Sequence, residues 1–560
     1  MGDFSRRGLI AGAGLGAMAF GRPDRPDEML ARFSEPDLFL INAKLWTGTS
    51  SDQREWGPSH IAIAGSRIHS VLRGFSSVAT LGARVIDLGG KRVTPGFYDA
   101  HAHPIDSGVQ LLLQVACDSS SIEEIKQRLR KRVEQTKPGE WVVGFLYDDA
   151  KTPRPLSRED LDEVAPIHPI LVTHRGGHTG FVNSAALIAA HIDETVSDPP
   201  GGRFFRDDNG RLNGRVGDNA KTKFEELSSR APTREEWRKG AELITRMFAS
   251  KGVTSAVDAA GSPEGLMGYV DAHDAGALKS RISCNIFVDF VPKMMAAGIK
   301  TGFGNEWVKV GAQKQFADGS ISERTAWMSE PYLDMDGKFK GLQVTPREEL
   351  YAKAKAAHLA GWQLGVHANG DTAIDEVLGV FEQLQREAPR RDPRFRIEHC
   401  TLVNDDLIRR MKAVGAIPIP FAPYVYFHGD VMHFYGKART EHMFAMRSFI
   451  DAGLNPPSSS DYTASPSEPM MWLQSQVTRT DPAHNVWGPS QRISVQEALV
   501  CGTLNGARST FDEADRGTLE PGKLADLVVW DRDPLTSEPM SLIDIKPERV
   551  MVGGQWVFEA

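Results

Sequence analysis

The sequence predicts an α/β chain built on a (β/α)8 TIM-like barrel, with a small β-sandwich made from both chain ends and an inserted α/β subdomain after the first barrel strand. Three observations carry this. Short apolar runs recur about every 30 residues through the middle of the chain, with amphipathic helical patterns between them. A histidine, lysine or aspartate stands near the C-terminal end of several of these runs. The 560 residues also exceed what one barrel needs, which leaves room for additions.

Composition narrows the function. With 41% hydrophobic and 25% charged residues, the chain can bury a sizeable core. Lys+Arg is 65 and Asp+Glu is 73, for a net charge of −8, which argues against a nucleic-acid binder with a basic face. Cys117, Cys284, Cys400 and Cys501 are far apart and form no CxxC pair, so neither a disulfide framework nor a cysteine-rich zinc site is expected.

From the N-terminus, residues 1–30 read as a signal segment. Ser5-Arg6-Arg7-Gly8 precedes an apolar run over 9–20, and Ala17-Met18-Ala19 fits a cleavage site. That run is too short for a bilayer-spanning helix, which needs ~20 residues. The paired arginines before it resemble a twin-arginine signal, so export to the periplasm is expected; without a working signal the chain would stay cytoplasmic. No later run of apolar residues is long enough to span a bilayer, so no stable membrane insertion is expected after signal removal. Residues 36–91 carry the strand-like LFLINAKLWTG, HIAIAGSRIHSVL and RVIDLGGKRV. Residues 515–560 add LADLVVWD and RVMVGGQWVFEA, and the two ends should pair into the sandwich.

The barrel is assigned to 92–105 and 233–514. Its first strand ends in Asp99-Ala-His101-Ala-His103. Residues i and i+2 of a strand share a face, so these two imidazoles can serve one metal. Strand-like stretches follow at 252–259, 281–288 and 308–316, the last holding Lys314. His367 ends the fifth run, His399 the sixth, 416–421 is the seventh, and Asp461 closes the eighth. His367 and His399 are 32 positions apart and His399 and Asp461 are 62, which is one unit and two of a barrel with about 31 residues per unit. Helical patterns at 234–251, 348–360, 372–386, 405–414 and 441–452 fit between. All the candidate ligands then fall at C-terminal strand ends, where barrel active sites lie. The eighth segment, NPPSSSDY, lacks apolar strand residues. Between the first and second strands lie about 150 positions, too many for a structureless loop, so 106–232 is read as a subdomain overhanging the site.

These residues resemble the metal-dependent amidohydrolase superfamily, in its amidohydrolase-3 branch, which includes N-substituted formamide deformylases. Beyond the HxH peptide, the resemblance is carried by GHTGFVNSAAL, KQFADGSISERTA, VHANGDTAID, RIEHC, SSDYTASP and GTLEPGKLADLVVWDRDP, in that order, and covers about 36–560. It implies a metal site of His101, His103, Lys314, His367, His399 and Asp461. The cofactor would be one or two divalent cations per chain; imidazole and carboxylate ligands suit Zn2+, and other divalent ions also fit. His101, His103 and Asp461 would hold one ion, and His367 and His399 a second. In binuclear relatives a lysine carboxylated by CO2 bridges the pair, and Lys314 occupies that place. Lys309 is the rival, but in an unbroken strand five positions put two side chains on opposite faces. With Lys314 left as an ammonium, a mononuclear site remains. His174, His178 and Arg324 are the candidate substrate contacts, the resemblance favouring His178 over His174; Asp318 and Asp371 are read as braces for turns or ligands.

The expected reaction is hydrolysis of a C–N bond in a small amide-like substrate, N-formyl or N-acyl, by metal-activated hydroxide. Asp461 would act first as general base and then as general acid. A mononuclear deaminase, an esterase, or a metal-free binding protein on the same barrel are the alternatives. A homo-oligomer stays open.

Overall fold

The computed structural model describes residues 35–49, 58–74, 82–149, 151–175, 179–333 and 337–560. The signal assigned to 1–30 lies outside them. Among the described residues no helix is long and apolar enough to cross a membrane.

Seven parallel strands form the central sheet in chain order: Phe97–Ala102, Val253–Gly261, Arg281–Phe287, Val308–Phe316, Leu364–Ala368, Phe395–His399 and Ala416–Pro420. The eighth position is held without regular strand geometry. Pro456 and Pro457 have no N–H to give a ladder. Even so, the next residues bond to both neighbours. Ala100 N donates to Ser458 O at 3.0 Å, Asp461 N to His101 O at 2.8 Å, and on the other side Ala422 N donates to Ser459 O at 2.9 Å. The segment thus joins the seventh strand to the first, and the fold is the TIM-like barrel of the α/β class that the sequence predicts.

The helices follow the expected pattern, with one difference. Arg234–Ser250 opens with a reciprocal cap between Thr233 and Glu236 and lays Ala241, Ile244 and Phe248 on the barrel. Arg347–Leu359, Asp371–Glu387 and Asp405–Val414 pack in the same way. The helix expected at 441–452 shrinks to Met446–Asp451. Phe444 has φ +51°, and the Arg479 guanidinium takes the carbonyls of Thr440, Met443 and Phe444, which a helix would have used.

Both chain ends enter one eight-stranded sheet. The strand Leu38–Leu45 is shared along its length: its first half pairs with Arg84–Asp87 and its end with Arg92–Pro95. Leu40, Ile61, Ile63, Leu527, Val529 and Met551 pack into its core. After the first barrel strand, the helix Pro104–Leu113 packs against Arg234–Ser250, so close that a Cβ on Gly108 would stand 2.2 Å from the Gly240 carbonyl. A separate six-stranded sheet then runs from Val115 to Asp218 with cores of its own.

Candidate metal centre

Sequence places the side chains by two devices. The first strand is buried throughout, so the polar His101 can sit there only if its ring is satisfied. Its Nδ1 lies 2.7 Å from Glu398 Oε2, and its Nε2 is buried with no hydrogen-bond partner among the described residues. The second device is the left-handed backbone turn. His399 has φ +68° and Asp461 φ +52°, conformations costly for residues with a Cβ. At His399 this breaks strand alternation, so Glu398 and His399 both serve the barrel mouth while Cys400 buries its sulfur 3.9 Å from Met411.

These devices bring His101, His399 and Asp461 together, with one ligand atom of each lying within 4.8 Å of the others. His103 sits just past the strand, and its Nε2 is 3.3 Å from Asp461 Oδ1; His101 Nε2 is 3.5 Å from the same oxygen. The His367 ring is centred 4.5 Å from that of His399. Its Nε2 is turned to the Gly319 carbonyl at 3.0 Å, which leaves Nδ1 as the ring nitrogen not held by that bond. Asp318 accepts the N–H groups of Trp327, Asn369 and Gly370, which fixes the turn carrying Gly319 against the fifth strand. Asp371 accepts from Ser329 N at 2.8 Å, on the outer side of the same turn.

Lys314 Nζ is buried without a hydrogen bond among the described residues and lies 4.6 Å from the centre of the Phe316 ring. The fourth strand is not unbroken. Two residues of the third strand, between Cys284 and Ile286, span three of the fourth, from Val310 to Gln313. Alternation therefore does not separate Lys309 from Lys314; their partners do. Lys309 Nζ donates to the Thr510 carbonyl at 2.8 Å and to Asp512 at 2.5 Å, at the opposite end of the barrel.

Burial sets the charges. It pushes His101 down to about 4, His399 down to about 3 and His367 well below the usual range, so all three rings are neutral at pH 7, the form in which imidazole binds a metal. Burial also pushes Lys314 down to about 8. For Asp461, burial is outweighed by the His103 hydrogen bond and the surrounding imidazoles, and its carboxyl is held well below the usual carboxylate range. Burial would lower His103, but its bond to Asp461 raises it.

A cavity of about 1030 Å³ opens above these groups. His103, His367, His399 and Asp461 line it, together with Leu146, Asp148 and Arg175 from in and beside the strands of the six-stranded sheet.

The profile described as "Amidohydrolase family" matches residues 84–558. The chain belongs to that family. The amidohydrolase is 30% identical to YtcJ of Bacillus subtilis (strain 168) over 495 residues, 85% of this chain and 90% of that protein. It is 28% identical to the N-substituted formamide deformylase of Arthrobacter pascens over 551 residues, covering 93% and 98%. A structure described as a metal-dependent hydrolase from Pyrococcus furiosus superposes with a TM-score of 0.72 at 25% identity, covering 89% of this chain and all of that one.

Other parts of the amidohydrolase site complete the picture. Arg324 lines the cavity with φ +58° and stacks its guanidinium 4.5 Å from the centre of the Phe434 ring. His428 faces the cavity and lies 3.0 Å from the Ala464 carbonyl, while His433 folds back onto Asp430 O. His178 lies outside the described residues. Nearby, His174 Nε2 is 3.3 Å from Asp149. Three buried residues had no place in the sequence reading: Asp99, Arg396 and Glu398. Each was visible as a charged residue beside a candidate ligand, or two or three positions from one, inside an apolar run, where an unpaired charge is too costly to keep without a task.

Proposed function

We propose that this amidohydrolase cleaves the C–N bond of a small amide-like substrate, N-formyl or N-acyl, with divalent metal held at the barrel mouth. The observation that carries this is the convergence of His101, His399 and Asp461, with the buried His101 Nε2 left without a hydrogen bond among the described residues. Neutral imidazoles, an ionised carboxylate and an unsatisfied buried nitrogen form a donor set that suits a divalent cation such as Zn2+. His101, His103 and Asp461 would hold one ion, and His367 and His399 a second, with Lys314 bridging as a carbamate. A cation bound there supplies an acidified water and polarises the substrate carbonyl.

The chain's own groups do the rest. Asp461, ionised at neutral pH and beside His103 Nε2, takes the proton of the attacking water and returns it to the leaving nitrogen as the C–N bond breaks. Arg324, and His178 from the subdomain, are the proposed substrate contacts. The name of the Arthrobacter relative supports the formamide end of the range. Export through the twin-arginine signal is part of the same reading, and loss of periplasmic protein in an Arg6→Lys, Arg7→Lys variant tests it.

The test is a panel of N-formyl, N-acyl, cyclic imide and ester substrates offered to zinc-loaded protein, with metal counted in parallel. Turnover of N-formyl or N-acyl compounds with one or two equivalents of metal is expected. Turnover of esters alone would move the assignment to an esterase, and protein that takes up no metal would end it.

A further inference from the structure

Beneath the metal centre lies a buried ion pair that no step above uses. Arg396 and Glu398 are both fully buried in the sixth strand. Arg396 Nε donates to Glu398 Oε1 at 2.7 Å and its Nη2 to Oε2 at 3.2 Å, a two-pronged grip on one carboxylate. Further guanidinium bonds tie it to the barrel wall, to the Ala100 carbonyl at 2.6 Å and to the Ser509 hydroxyl at 3.2 Å. Glu398 Oε2 faces His101 Nδ1 at 2.7 Å. Across the sheet, the fifth strand makes room with Gly365, where a Cβ would stand 2.9 Å from Glu398 Oε1.

A carboxylate placed so has one chemical consequence for the ring it touches. It accepts a hydrogen bond from Nδ1–H, so the proton of the neutral imidazole stays on Nδ1 and Nε2 keeps its lone pair. Nε2 is the atom left without a hydrogen bond among the described residues, 3.5 Å from Asp461 Oδ1. Held on two prongs by Arg396, the carboxylate also fixes the rotation of the ring.

We infer that Glu398, clamped by Arg396, is the positioning residue that fixes the tautomer and orientation of His101 and so sets the affinity of the first metal position. This rests on the metal-dependent reading above. The pair touches neither substrate nor the reacting atoms; it acts through His101.

The test reads metal binding, not turnover. Full-length wild type, Glu398→Gln and Gly365→Ala are stripped of metal and titrated with Zn2+ against a chromophoric chelator, then with Co2+ while the visible ligand-field spectrum is recorded. Glu398→Gln keeps the size and a weaker acceptor but loses the charge, so its Zn2+ affinity is expected to fall about 10–100-fold, with altered Co2+ bands. Gly365→Ala crowds the carboxylate without removing it, so a smaller fall in the same direction is expected, and it stands in should Glu398→Gln not fold. Thermal unfolding of the metal-free proteins separates a lost fold from a lost ligand. Wild-type affinity and an unchanged Co2+ spectrum in a folded variant would overturn the inference. Wild type that takes up neither ion would sink the metal reading, and this inference with it.

Discussion

Asp99, in the first barrel strand, accepts both the backbone N–H of Ser460, at 3.0 Å, and its hydroxyl. This closes the barrel where regular pairing fails, and it does so one residue before Asp461. Burial pushes Asp99 up to about 7, so the Ser460 hydroxyl matters to a carboxyl with little other solvation. Ser460→Ala is expected to cost about 1–3 kcal/mol, the usual penalty for a buried polar atom stripped of its partner, and to slow turnover through the displaced Asp461. Urea unfolding and kcat check both; an unchanged midpoint would show that the backbone bonds of this segment close the barrel without the Ser460 hydroxyl.

His101→Ala and His103→Ala are expected to abolish hydrolysis while leaving a folded chain. Each removes an imidazole beside Asp461 Oδ1; His103 is partly exposed, whereas His101 is fully buried, so its loss also leaves Glu398 with Arg396 as its remaining side-chain partner. Circular dichroism, bound metal and turnover are the measurements. Retained turnover in either would take that histidine out of the site.

Asp461→Asn keeps shape and loses the proton acceptor. A fall in kcat of about 10²–10⁴ is expected with KM little changed, the range for a general acid–base group. A change confined to KM would make Asp461 a binding residue.

The sequence revealed the barrel because each strand brings its own apolar run and its own polar end. It showed less of the eighth position, where two prolines and three serines carry no periodicity and the partners that hold them, Ala100, His101 and Ala422, are distant in sequence. The first-strand and sixth-strand histidines stood out by spacing. Glu398 did not, because its task depends on a ring 297 positions away. The bulge in the fourth strand was equally hidden. It arises from register against the third strand, so alternation counted along one strand could not weigh Lys309 against Lys314. The short helix after the seventh strand failed for a similar reason, since Arg479 reaches its carbonyls from outside the segment.

At the far end of the barrel, Lys309 donates to Asp512, and Arg516 lies nearby. Burial opposes charge on Asp512, but these cations outweigh it and hold the carboxyl down at about 2. A carboxyl lowered in the folded state contributes stability that is complete above its unfolded value of ~3.9 and lost as pH falls toward 2. Asp512→Ala is expected to cost about 3–5 kcal/mol at neutral pH, because it strands buried cations, and to flatten stability between pH 4 and 2. Unfolding curves at several pH values check it; a slope like wild type's would place the acid sensitivity elsewhere.

Lys314 offers the sharpest chemical test. Its ammonium has no hydrogen bond among the described residues, and burial draws it down to about 8, so a sizeable fraction is neutral amine at pH 7.5. Neutral amine attacks CO2, forms an N–C bond and releases one proton, turning an isolated buried cation into an anion with two oxygens for the metals. Protein prepared with 13C-bicarbonate and metal is expected to show a carbamate carbon resonance that Lys314→Ala lacks, and bound metal is expected to fall from about two equivalents to about one in that variant. Two metals retained without Lys314, or wild type with one metal and no carbamate signal, would leave the lysine a plain ammonium and the centre mononuclear.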